Sequence, residues 1–239
     1  MSKHYVLFMD SAYILNRRPF RDNRFIVDLL TQKSGRMTCV ARVAKKRGKI
    51  MKGTLEPFRR LGVAWAGKGQ MPILTVAEEQ RRYLIQSQDL CKALYFNELI
   101  LKLVPLFAPA NDVFTAYQVG LHRLTTIIDE RTLMQCEFAL LDVLGYSFGD
   151  ELEHQLGKSV EANRYYRYSA NSGLRLYEQY QEGVPISGAL LIKWQQSEQG
   201  EQHEYFSENE YYQLRQFLNR FIDTLLVGKP LKSRKLVFL

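Results

Sequence analysis

Cysteine is scarce in this chain: Cys39, Cys91 and Cys136 are the only three in 239 residues, and no two have CxxC spacing. An odd, scattered set excludes a disulfide framework and a thiolate zinc site, so all three are expected as small buried hydrophobes. The four histidines, His4, His122, His154 and His203, are equally dispersed, with no carboxylate or thiol at metal-ligand spacing. Each is expected to be structural or surface-facing. GxGxxG after a strand, HExxH, GxSxG and GxxxxGK[ST] are all missing, and GKPLKS near the C-terminal end only superficially resembles a phosphate loop. Without a nucleotide cradle, a metal set or an activated nucleophile, neither catalysis nor a cofactor is expected. No uncharged apolar run approaches the eighteen or so residues that span a bilayer. The short run Tyr5–Met9 is interrupted by Asp10, which argues against a signal peptide. A cytoplasmic protein is expected.

What the chain does have is positive charge, unevenly spread. Residues 1–75 hold 16 Lys/Arg against 4 Asp/Glu, a balance of +12, whereas 76–228 carry −8 and Lys229–Lys235 return +4. The basicity peaks in AKKRGKIMKGTLEPF, which sets Lys45, Lys46, Arg47, Lys49 and Lys52 within eight positions. A solvated basic turn is the plain alternative. Concentration of further arginines (Arg17, Arg18, Arg21, Arg24, Arg36, Arg42) in the same segment, despite self-repulsion, favours a polyanionic partner instead.

The periodicity divides the chain. Up to about residue 79 it reads as β: Tyr5–Leu15, Arg24–Thr31, then Met37, Cys39, Ala41 and Val43 alternating on one face with Thr38, Val40 and Arg42 on the other, Leu61, Val63 and Trp65 sharing a face, and a return at Pro72–Ala77 after the GKG turn. Five short strands predict a Greek-key barrel of the OB type over residues 1–79, with an SH3-like barrel left open by spacing alone. Residues 80–146 predict three helices packed as a bundle. Leu90, Leu94, Leu101 and Val104 form the stripe of the first, and Phe114, Tyr117, Leu121, Leu124 and Ile128 that of the second. The third carries Leu133, Cys136, Leu140 and Leu144, with Gly145 as its left-handed cap. Residues 147–239 predict a hairpin-like stretch at 160–180, a helix at 208–227 opened by a Ser207/Glu210 capping box, and a basic tail. The fold class expected is α+β: a five-stranded OB-fold barrel, then a helical bundle with a small β-hairpin insertion and a C-terminal helix. In NRYYRY, the tyrosines are read as cross-strand pairs rather than base-stacking groups. Asn97 and Glu98, polar in an otherwise apolar helix, are read as either a polar seam against the barrel or a capped inter-domain contact, structural in both cases.

Five stretches in order, TQKSGR, KGTLEPF, YFNEL, CEFALLDVLGY and GKPLKSR, resemble the RecO family of bacterial recombination mediators of the RecF pathway, and the matching pieces span nearly the whole chain. The resemblance implies an N-terminal OB domain that binds single- and double-stranded DNA and anneals complementary strands, without enzymatic activity, during DNA repair. It also implies engagement of the acidic C-terminal tail of the single-strand binding protein SSB and, with RecR, loading of RecA on SSB-coated gaps, in a cytoplasmic protein associated with the nucleoid during repair. Carried to this chain, the expected DNA contacts are Arg36, Lys45, Lys46, Arg47, Lys49 and Lys52. For the SSB tail, Met134, Gln135 and Cys136 stand where relatives often have arginines, which leaves Arg131, with Lys102 and Arg123 behind it. Many members carry a four-cysteine zinc site in the C-terminal region; no cysteine follows Cys136 here, so no zinc is expected. The alternatives are a non-catalytic adaptor that docks an acidic partner and an RNA-binding OB-domain protein, since phosphate contacts scarcely distinguish DNA from RNA.

Overall fold

The computed structural model describes residues 8–44, 50–67, 69–126, 129–146, 159–169, 173–178, 184–199 and 206–237. The chain forms two compact units, Met1–Ile128 with Leu231–Leu239, and Asp129–Pro230.

In the first unit, strands β1 (Phe8–Pro19), β2 (Arg24–Thr31), β3 (Gly35–Arg42), β4 (Arg59–Ala66) and β5 (Ile73–Arg82) close a barrel in the order β1-β2-β3-β5-β4. All neighbours run antiparallel except β3 and β5. That order, with its one parallel closure, is the OB arrangement and settles the choice against an SH3-like barrel. The alternation expected for β3 is seen: Met37, Cys39 and Ala41 are buried inward, joining Ile14, Val27, Leu29, Leu61, Val63, Trp65 and Leu74. Burial pushes the Cys39 thiol up to about 12, aided by the Asp28 charge. β5 extends to Arg82, three residues past the expected end of the barrel, because its last residues still pair with Arg59 and Arg60.

Helices α1 (Leu90–Leu103) and α2 (Asn111–Thr126) belong to this unit and pack on β1 and β2. α3 (Glu130–Val143), expected to join them in a three-helix bundle, belongs to the second unit. Of the expected α1 stripe, Val104 is buried and Leu101 partly so, but Leu90 and Leu94 are exposed, and Ala93, Phe96, Asn97 and Ile100 are buried instead. The helix is apolar almost all round, so periodicity alone could not choose its face. A hydrogen bond does: Asn97 Nδ2 donates to the Leu15 carbonyl at 2.8 Å and its Oδ1 accepts from the Tyr117 hydroxyl at 2.6 Å. Tyr13, on the outer side of β1, completes this seam against Phe114 and Tyr117, with ring centroids 4.9 Å from each. Glu98 serves the C-terminal end, accepting from the Lys232 and Ser233 amides and the Ser233 hydroxyl.

The turn inside TQKSGR explains its glycine. Gly35 has φ +75°, and a Cβ there would lie 2.0 Å from the Ala108 carbonyl oxygen. The α1–α2 connection presses on the strand at this point, with the Phe107 amide bonded to the Arg36 carbonyl.

In the second unit, β6 (Tyr165–Ser169), β7 (Gly173–Leu176) and β8 (Ile186–Ser187) form a small sheet in the order β7-β6-β8. The expected hairpin is β6–β7, and Tyr166 and Tyr168 pair across it with Leu176 and Leu174. Tyr168 also meets Phe221 edge to face, and burial raises its hydroxyl to about 12. Helix Glu208–Leu226 begins with the expected capping box, and Gly145 closes α3 at φ +85°. Arg215 of the long helix is buried against Glu137 at 2.6 Å and Glu130 at 3.2 Å, joining it to α3.

Candidate nucleic-acid interface

The packing of α1 and α2 decides which barrel surface stays open. OB barrels commonly bind nucleic acid on the face of strands 2 and 3. Here the outward residues of β2, Ile26, Asp28 and Leu30, are all buried. Asp28 is occupied by the Thr38 hydroxyl at 2.8 Å and by Asn16. What remains free is the end of the barrel formed by the β1–β2 turn, the end of β3 and the connection to β4.

That end is built of cations. Arg24 and Arg42 are direct partners on neighbouring antiparallel strands, an arrangement that costs stability unless something negative lies over it. Arg18 and Arg21 extend from the adjacent hairpin, and all four are exposed. Among the described residues, none of the four has an ion-pair partner. Opposed arginines elsewhere in the barrel are treated differently: Arg59 faces Arg82, and Glu79 pairs with both. Burial acts to raise the Glu79 carboxyl, but hydrogen bonds from Arg82 and Arg59 and their charges hold it below the usual range. The contrast between the two pairs is the electrostatic signature of the site.

The connection that carries the basic run is pinned at its flanks. The Ala44 amide donates to the Ile50 carbonyl at 3.0 Å, and Ile50 and Leu55 are both buried in the barrel core. A short 3-10 turn at Lys52–Leu55 follows, with the Lys52 carbonyl accepting from Arg17. Arg17 also binds Glu56, and its guanidinium and the Lys52 ammonium lie 5.4 and 5.8 Å from the Phe25 ring centroid. The KGTLEPF stretch thus plugs the barrel with Leu55 and returns the chain to β4 through Phe58, which is buried at φ +63°. Lys45, Lys46, Arg47 and Lys49 themselves lie outside the described residues. Across 19–24 and 42–56 the sequence has eight cations and only Asp22 and Glu56 as carboxylates, and Glu56 is taken by Arg17.

Of the expected DNA contacts, Lys52 stands at this end and Arg36 does not. Arg36 begins β3 while Arg42 ends it, so they are about 20 Å apart along the strand. The Arg36 Nε donates to the Val104 carbonyl at 2.6 Å, and burial lowers the guanidinium pKa. It fastens the α1–α2 connection. Arg24 and Arg42, by contrast, were visible in sequence only as further basic residues, because their pairing depends on the β2–β3 register.

The residues expected to hold an acidic tail are not on one element. Lys102 and Arg123 occupy the last turns of α1 and α2 in the first unit. Arg131 lies in the first turn of α3 in the second unit, with its guanidinium 5.7 Å from the Phe206 ring centroid and its Nε buried without a hydrogen-bond partner among the described residues. Lys193 approaches the same ring at 4.7 Å and pairs with Glu210. Among the described residues, no three His, Cys, Asp or Glu are grouped to hold a metal, and no helix is long and apolar enough to cross a membrane.

Two family models match in series: Recombination protein O N terminal over residues 4–82 and Recombination protein O C terminal over 88–235. The chain belongs to the RecO family. Among its relatives are DNA repair protein RecO of Coxiella burnetii, 30% identical with 96% of this chain and 97% of that protein covered, and that of Halorhodospira halophila, 33% identical with 94% of each covered. The RecO of Mannheimia succiniciproducens is 32% identical, with 93% of this chain and 96% of that protein covered. RecO is a family of DNA repair and recombination proteins. Its N-terminal region ends here with β5, yet α1 and α2, which belong to the C-terminal RecO region, fold with the barrel.

Proposed function

We propose that this chain is a recombination mediator that binds single- and double-stranded DNA at the cationic end of its barrel and anneals complementary strands. It engages the acidic C-terminal tail of SSB and, with RecR, promotes RecA loading on gaps. The observation that carries the reading is Arg24 facing Arg42 with no ion-pair partner among the described residues, on the strand that leads into the connection holding Lys45, Lys46, Arg47, Lys49 and Lys52 in sequence. Two phosphate backbones repel; cations gathered at one end of the barrel screen that repulsion, and no nucleotide hydrolysis is required. Arg131 and Lys193 flank the buried Phe206 ring and supply the cations that an acidic peptide needs.

Charge reversal of Lys45, Lys46, Arg47 and Lys49 to Glu tests the DNA reading. Single-strand binding by fluorescence anisotropy should be lost while circular dichroism stays native; unchanged affinity would end the assignment. With about five phosphates neutralised, log affinity should fall against log salt with a slope near about −3.5. For the tail, an acidic peptide ending in Phe should bind the unaltered protein and bind Arg131→Glu at least about tenfold more weakly, as expected for a lost charge-assisted contact.

A further inference from the structure

A half-open cavity of about 650 Å³ lies at the cationic end, lined by Asn23, Arg42, Val43, Ala44, Met51 and Lys52. Its walls come from three segments: the β1–β2 turn, the end of β3, and the connection leading to β4. Main-chain bonds hold them in register, with the Val43 amide donating to the Asn23 carbonyl at 2.8 Å and Ala44 to Ile50 at 3.0 Å.

Its chemistry has two parts. Val43, Ala44 and Met51 are apolar, and Met51 is 54% exposed. Asn23 offers an amide, while Arg42 and Lys52 offer charge. A site for phosphate alone has no use for the apolar wall, and an apolar peptide gains nothing from two cations and an amide in the same recess. A nucleobase on its sugar-phosphate uses all of them: flat apolar faces against Met51 and Val43, a hydrogen-bonding edge toward Asn23, and phosphate toward Arg42 and Lys52. In a duplex the bases are stacked and paired, so they cannot enter.

From this we infer that the cavity seats an unpaired nucleobase, so that the barrel end reads single-strandedness in addition to charge. The inference rests on the barrel end being the nucleic-acid interface. Its test compares a thymidine oligonucleotide with an abasic strand of equal length and phosphate count, in anisotropy titrations at two salt concentrations. Two uncharged substitutions accompany it. Ala44→Leu narrows the cavity without adding a ring that could itself stack, and Met51→Ser strips the apolar wall at an exposed position.

The base-bearing strand should bind about fivefold to tenfold tighter than the abasic one, in the range of one seated base. Both variants should bring that preference to about twofold or less, with abasic affinity, salt slope and circular dichroism unchanged. Equal binding of the two strands by the unaltered protein, with a steep salt slope, would overturn the base seat and leave the polyanion reading standing. Failure of both strands to bind would overturn both. A preference that persists in both variants, or thymidine monophosphate binding as tightly as the strand, would also overturn the inference.

Discussion

Replacing Asn97 with Ala should loosen the two helices from the barrel, and the size of the effect follows from what Asn97 touches. Its amide nitrogen satisfies the Leu15 carbonyl and its oxygen receives the hydroxyl of fully buried Tyr117. The substitution orphans both. Each buried group left without its partner costs about 1–3 kcal/mol, so the expected loss is about 4 kcal/mol, a large share of the stability of an ordinary domain. Tyr117→Phe in the same background removes one orphan and should return about 1–2 kcal/mol. The assay follows from the sequence: its two tryptophans are Trp65, buried in the barrel, and Trp194, in the second unit. With Trp194→Phe as the parent, urea unfolding followed by fluorescence reports the first unit alone. A loss below about 0.5 kcal/mol, or strict additivity with Tyr117→Phe, would refute the idea that this seam holds α1 and α2 in place.

Further outcomes follow from other contacts. Burial acts to raise the Glu98 carboxyl, but the Ser233 hydroxyl, the Ser233 and Lys232 amides and Lys102 hold it below the usual range. A depressed carboxyl stabilises above its unfolded value of about 4.3 and loses that contribution as pH falls through the folded value. Glu98→Gln should therefore flatten the acid limb of the Trp65 stability profile and cost about 1–2 kcal/mol at neutral pH. Native protein treated with iodoacetamide at mild alkaline pH should label Cys91, which is half-buried, and spare buried Cys39 and Cys136; mass spectrometry of the peptides checks this. Gly35→Ala meets both a left-handed φ and the Ala108 carbonyl, and should cost about 2 kcal/mol or more in the same unfolding assay.

Much of the architecture was legible because it is local. Alternation exposed the inward face of β3, and Ser207/Glu210 and Gly145 marked helix ends with chemistry that acts within one turn. The association of α1 and α2 with the barrel was legible only as the alternative of a polar seam at Asn97, because its partner Leu15 is separated by 82 residues. The wrong face was assigned to α1 for the same reason: leucines surround the helix, and the polar residue that looked like an exception is the one that seats it. In the candidate site, the basic run marked the connection from β3 to β4, but register was needed to bring Arg42 opposite Arg24. Register also sets Arg36 six residues from Arg42 along the same strand, bonded to Val104.

The charge of that barrel end is tested most directly by the salt dependence of single-strand affinity in Arg24→Glu/Arg42→Glu, with native circular dichroism as the control. Losing two phosphate contacts should weaken binding and make the slope of log affinity against log salt shallower by about 1.4. Unchanged affinity and slope in a folded double variant would contradict the account.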